Sequence, residues 1–200
     1  MWRSVQLGDQ SPVVERADWG SHLNQKHYSE KRHVELVTER PVERFLLRLF
    51  LREARFRSLC LVSPFIAPMH GRRFSLADVR RKAESERIPT YVITREPVED
   101  YQVQAMQVIQ GCPWIEIRYN ASLHAKLYVA VAEREADSFA LFGSGNLTAR
   151  SIESNIELAM LVYSWGQGRE LLHDLNYWAA VRLRTLHESR LVQPIRALRR

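Results

Sequence analysis

LHAKLYVAVA (123–132) and SFALF (138–142) stand on either side of a charged turn, EREAD (133–137), and their reading decides the fold. Both are short, apolar runs bounded by turn residues, which predicts two strands joined by that turn. Side chains alternate in direction along a strand. Leu123, Ala125, Leu127, Val129 and Val131 then share one face, the expected core side. His124, Lys126 and Tyr128 share the other. The imidazole and the ammonium would stand two residue rises apart, roughly 7 Å along the strand. Lysine as a compact positive charge and histidine as nucleophile or proton carrier suit a single phosphate group. A histidine and a lysine on a solvated strand face are also ordinary, so the pair needs company before it means chemistry.

Working outward, further strands are predicted at SLCLVSPF (58–65), TYVIT (90–94), WIEIRY (114–119) and NIELAMLVY (155–163). Helices are expected over RPVERFLLRLFLREARFR (40–57), residues 73–87, EPVEDYQVQAMQVIQ (96–110) and the long amphipathic stretch 168–188. In the first of these, Val42, Phe45, Leu46, Leu49 and Phe50 form an apolar stripe, while Arg40, Arg44, Arg48 and Arg52 recur every four residues on another face. Strands alternating with helices imply an α/β fold, a mixed β-sheet sandwiched by helices. Residues 1–38, which include Trp2, Trp19, His22, His27 and His33, are polar and weakly periodic and read as an arm or lead-in; 39–200 is the domain proper.

Composition narrows the partners. The 200 residues are 46% hydrophobic and 26% charged, ordinary for a globular chain. No window approaches the ~20 apolar residues of a membrane span. The opening MWRSVQLGDQ has no charged start followed by an apolar run, so no secretory signal and a cytoplasmic location are expected. Cys60 and Cys112 are the only cysteines and suit a reduced compartment; no Cys/His cluster has zinc-ligand spacing, and neither metal nor cofactor is expected. The net charge of +6 leans toward polyanions such as nucleic acid.

The second strand runs into Gly143, Ser144, Gly145 and Asn146 before a helical turn. Two glycines let backbone come close to a ligand, amides at a helix start favour an anion, and Ser144 and Asn146 add side-chain donors. A plain strand–helix turn capped by Asn146 or Thr148 has the same composition. Glu157 completes the set. Ile156, Leu158, Met160 and Val162 are expected to alternate as a core face, with Glu157 pointing the other way. A carboxylate on a central strand needs a partner, and an imidazole N–H is a suitable one.

H-x-K, then G-S-x-N, then a glutamate resembles the phospholipase D superfamily, whose motif is HxKxxxxD followed by GSxN. The resemblance rests on His124, Lys126, Gly143, Ser144, Asn146 and Glu157, and it is closest to single-motif nucleases. Val131 stands where the family's aspartate would fall. The resemblance implies His124, Lys126, Asn146 and Glu157 as catalytic residues, with Gly143, Ser144 and Gly145 binding substrate phosphate. It also implies a phosphohistidine intermediate formed without a metal, and two histidines per site. His70-Gly71-Arg72 has no GSxN after it and reads as a loop, so the chain carries half a site that a homodimer would complete.

Motif and charge together lead to the expectation of a nuclease, on DNA ahead of RNA, of the kind found in restriction and defence, with scope for a larger complex. Arg44, Arg48 and Arg52 are candidate nucleic-acid contacts, although Glu39, Glu43 and Glu53 beside them equally suit a solvated face; the basic end RALRR reads the same way. A lipid phosphodiesterase would share the motif but needs an interfacial apolar segment, which the sequence lacks. A silent nucleic-acid-binding module would need none of the motif residues intact.

Overall fold

The structure, a computed structural model, describes residues 33–51 and 53–197. Arg52, the last three residues of the basic end, and Trp2, Trp19, His22 and His27 lie outside the described residues.

One eight-stranded mixed sheet organises the chain. In chain order the strands are β1 (Val34–Val37), β2 (Phe56–Val62), β3 (Thr90–Thr94), β4 (Ile115–Tyr119), β5 (Leu127–Ala132), β6 (Phe139–Gly143), β7 (Ala159–Tyr163) and β8 (Arg190–Gln193). Across the sheet the order is β1-β7-β6-β5-β2-β3-β4-β8. The pairs β2–β3 and β3–β4 are parallel, and the rest are antiparallel. Parallel neighbours need crossovers. These are α2 (Leu76–Ser85) and α3 (Asp100–Ile109), while α1 (Pro41–Leu51) leads from β1 into β2. Ser75 starts α2 by accepting from the Asp78 amide as Asp78 accepts from the Ser75 amide, a reciprocal cap. A short α4 (Ala149–Glu153) joins β6 to β7, and α5 (Gly168–Tyr177) follows β7.

Each sheet face carries its own core. On one, Phe45, Leu46 and Leu49 of α1, Val79 of α2 and Ile109 of α3 pack against Leu59, Leu61, Tyr128 and Leu141. On the other, Leu172, Ala179 and Leu183 cover Cys60, Val62, Leu127 and Val129. Strand β5 is therefore buried on both sides, with Tyr128 and Ala130 in the first core and Leu127 and Val129 in the second. The expected division into one core face and one phosphate face does not hold along β5, because the regular strand begins only at Leu127. His124 and Lys126 stand in the segment leading into it.

Several boundaries differ from expectation. The first helix stops at Leu51, and Phe56 and Arg57 already belong to β2, where Phe56 is core. Strands β1 and β8 were not foreseen; each is four residues long and lies on an edge. The stretch 155–163 becomes a strand only from Ala159. Ile156, Leu158 and Met160 are exposed rather than core. The helix expected over 168–188 is broken by a π-helical turn, Trp178–Arg182, followed by the short α6 (Leu183–Thr185). His70 lies in a turn, as its reading as a loop required.

A partly buried ion pair ties this last segment to the sheet. Arg184 donates from Nε to Glu116 Oε1 (2.7 Å) and from Nη2 to Oε2 (2.8 Å), a bidentate fork. Its guanidinium lies 4.0 Å from the Tyr91 ring centre. Arg118 donates to Glu116 as well. Burial pushes the Glu116 carboxyl up, but the hydrogen bonds from Arg184 and Arg118, with their charges, outweigh it and hold the group below its ordinary 4.5. Burial also raises the Cys60 thiol to about 12, which leaves it inert. Because folding lowers the Glu116 pKa, its stabilisation is complete above 4.5 and drains away as pH falls through the folded value. Glu116→Gln should cost about 3 kcal/mol at pH 7 by stranding Arg184. Urea unfolding at stepped pH should also show a flatter acid limb below 4.5 than wild type.

Candidate active site

The antiparallel neighbours β5, β6 and β7 end together, and the residues singled out in the sequence stand in the segments that adjoin that end. The ladder continues one step past the strands: the Gly143 amide donates to Lys126 O (3.2 Å), and the Ser144 amide donates to Leu158 O (3.0 Å). Lys126 thus lies beside Gly143, and Glu157 lies beside Ser144.

The His124 segment is held by its backbone. Asn120 takes the Leu123 amide on its carbonyl (3.2 Å) and the Ser122 amide on its side chain (3.0 Å), and Arg95 Nε donates to Leu123 O (2.8 Å). The imidazole of His124 is exposed and hydrogen-bonds to no described residue. Lys126 Nζ turns back onto His124 O at 2.9 Å. Tyr128, next along this side of the chain, is buried and donates its hydroxyl to Gly145 O (2.8 Å), tying the strand to the glycine loop. Burial pushes this phenol above its ordinary range, so it remains a donor.

Glu157 is buried, and its partners differ from expectation. Ser144 Oγ donates to Glu157 Oε2, and Asn155 Nδ2 donates to Oε1 at 3.1 Å. Ser144 Oγ in turn accepts the Leu158 amide at 3.0 Å. The carboxylate is satisfied by a hydroxyl and an amide, and no bond to His124 is present. Asn146 is half-buried: its amide N–H donates to Ser151 Oγ (3.1 Å), and its side-chain NH₂ donates to no described residue, so it is open to an incoming acceptor.

Ser63 was not foreseen as part of this assembly. It is fully buried at the end of β2, donates to Phe65 O (2.7 Å) and accepts the Leu147 amide (3.0 Å). Its hydroxyl lies 3.4 Å from Asn146 Oδ1. The visible signal was a polar residue ending an apolar run just before Pro64.

The glycines serve packing as well as access. A Cβ on Gly143 would stand 2.3 Å from Leu158 O, so β7 is what comes close there. A Cβ on Gly145 would meet only the tip of Val42 at 2.9 Å, with Glu157 at 3.7 Å. Of the candidate nucleic-acid contacts, Arg44 is paired with Glu35, and Arg48 donates to Tyr163 Oη at 2.5 Å and stacks on its ring. Both are engaged within the fold. Among the described residues no group of three or more His, Cys, Asp or Glu side chains is placed to hold a metal ion. No described helix is long and apolar enough to cross a membrane.

The structure superposes on Nuc, a phospholipase D family member from Salmonella typhimurium, with a TM-score of 0.53 at 17% identity, covering 80% of this chain and 99% of that one. The chain has the fold of that phospholipase D family member. NucT from Helicobacter pylori gives 0.53 at 13% identity, over 80% and 98% of the two chains. Polyphosphate kinase from Porphyromonas gingivalis gives 0.51 at 15% identity, over 71% of this chain and 24% of the kinase. No protein-family model matches the sequence, and no curated protein matches it.

Gly143→Ala forces a clash with backbone and should cost about 3 kcal/mol, whereas Gly145→Ala presses on a single buried valine methyl and should cost about 1 kcal/mol. Urea midpoints of the two variants against wild type check this ordering.

Proposed function

We propose that this chain is a phosphodiesterase that cleaves nucleic acid, DNA ahead of RNA, through a phosphohistidine intermediate and without a metal, in a homodimer to which each copy gives one His124. The observation that supports the reading is that Gly143 bonds the backbone of Lys126, which turns its ammonium onto His124 O, while the adjoining Ser144 bonds Glu157. The fold shared with a phospholipase D family member and the net charge of +6 support it.

In the first step a ring nitrogen of His124 attacks phosphorus. The P–O bond to the leaving group breaks, and His124 of the second copy gives that oxygen its proton. In the second step water loses a proton to the second copy's imidazole and attacks phosphorus. The P–N bond breaks and its electron pair returns to the first imidazole. Splitting one displacement into two lowers each barrier, and proton transfer by the second imidazole contributes roughly 10²–10⁴-fold. Lys126 and the open amide of Asn146 neutralise and hold the non-bridging oxygens. Glu157 is a positioning residue: it fixes Ser144, and Ser144 fixes the end of β7.

The second copy has a surface to occupy. Ile156 and Leu158 flank Glu157 and are 102% and 56% exposed; Met160 and its cross-strand neighbour Leu36 extend the strip. A row of exposed apolar side chains of this kind suits an interface. Placed beside the site, it suits a two-fold contact that brings two His124 side chains to one phosphate. Degradation of foreign DNA, as in restriction or phage defence, alone or within a larger complex, is the setting such an enzyme fits.

The test is cleavage of labelled single- and double-stranded DNA and RNA in excess EDTA, with wild type beside His124→Ala. Cleavage should survive the chelator and fall by roughly 10³-fold or more in the variant. Activity abolished by EDTA would remove the mechanism. Cleavage of a phospholipid but of no nucleic acid would move the same chemistry to a lipid substrate.

A further inference from the structure

We infer that Trp178 is a base-stacking platform beside His124, and that the substrate enters the site as single-stranded nucleic acid; this rests on the phosphodiesterase reading above and names its substrate class. The C-terminal helix is interrupted where this residue stands, since Trp178–Arg182 form a π-helical turn between α5 and α6. Such turns recur at functional sites, where they re-aim a side chain. Here Ala179 and Leu183 go into the second core, and Trp178 is left 40% exposed. It lines an open cleft of about 420 Å³ whose walls include Leu123, His124, Ala125 and Leu186, with Glu188 also lining it. The indole thus shares one cleft with the imidazole proposed to attack phosphorus.

Both walls are anchored. The Arg184–Glu116 fork fixes the turn that follows Trp178, and Arg95 fixes Leu123 O on the histidine side. Apolar side chains, an indole and an imidazole lining one cleft suit a nucleotide: a flat base against the indole, with its phosphate toward His124. A base offers its π-face to an indole only when it has left its own stack, and every base has such a face. In a duplex those faces are covered. A base stacked on Trp178 next to the scissile phosphate therefore belongs to a single strand or a splayed end.

The experiment measures binding of three labelled probes to the full chain carrying His124→Ala, which prevents cleavage. The probes are an oligothymidylate, an abasic strand of equal length, and a duplex of equal length. Adding Trp178→Ala should weaken oligothymidylate binding roughly 5- to 100-fold and leave the abasic strand and the duplex unchanged. Trp178→Phe should retain most of the affinity, because a phenyl ring still stacks. An equal loss on all three probes, or no loss on the oligothymidylate, overturns the inference while leaving the phosphodiesterase reading standing. So does a shift of Trp178→Ala from dimer to monomer in sedimentation, which would make the indole a contact between copies. If the parent binds none of the probes and wild type cleaves none, the phosphodiesterase reading falls, and this inference falls with it.

Discussion

The close approach of β6 and β7 at Gly143 is the constraint on which the candidate site depends. With no side chain at that position, Leu158 O comes to the distance a Cβ would have needed, and the Ser144 amide reaches it. Ser144 then lies where its hydroxyl can donate to the buried Glu157 and accept the Leu158 amide. Burying a carboxylate is costly unless it is satisfied, so the two strand ends are coupled: each secures the other. On the opposite side of β6, the Gly143 amide fixes Lys126 O, which sets the segment bearing His124. One glycine thus brings three strand ends into register, and the chemistry hangs from that register.

Around this point the fold supplies rigidity from both sheet faces. Tyr128 reaches through the first core to the carbonyl of Gly145, and Ser63 at the end of β2 holds Leu147. On the far face, the Arg184–Glu116 fork docks the C-terminal segment so that Trp178 and His124 share a cleft. Precision at a site of the proposed kind comes from neighbours that lock its loops as much as from the side chains that would react.

The α/β class and most of the interior strands could be read from apolar runs and turn residues alone. Strands β1 and β8 could not: each is a four-residue edge strand, VELV and RLVQ, too short for periodicity to register and defined only by the partner it finds. The end of the first helix was hidden because Phe56 continues the apolar stripe while serving a strand. The site residues were visible as a pattern, but their bonding was not. Alternation assumes a strand has begun, and at both His124 and Glu157 it has not. Glu157 consequently meets Ser144 and Asn155 instead of the imidazole. Ile156 and Leu158, read as core from their chemistry, turn outward for the same reason.

A site built from one histidine per chain stands or falls on whether two chains share it. The direct measurement is the activity of dimers assembled from equal amounts of wild-type and His124→Ala chains, randomly exchanged. If two His124 side chains form one site, a mixed dimer is dead and only wild-type pairs act, leaving about one quarter of the activity of an all-wild-type sample. If each chain acts alone, about one half remains, and that result would contradict the account.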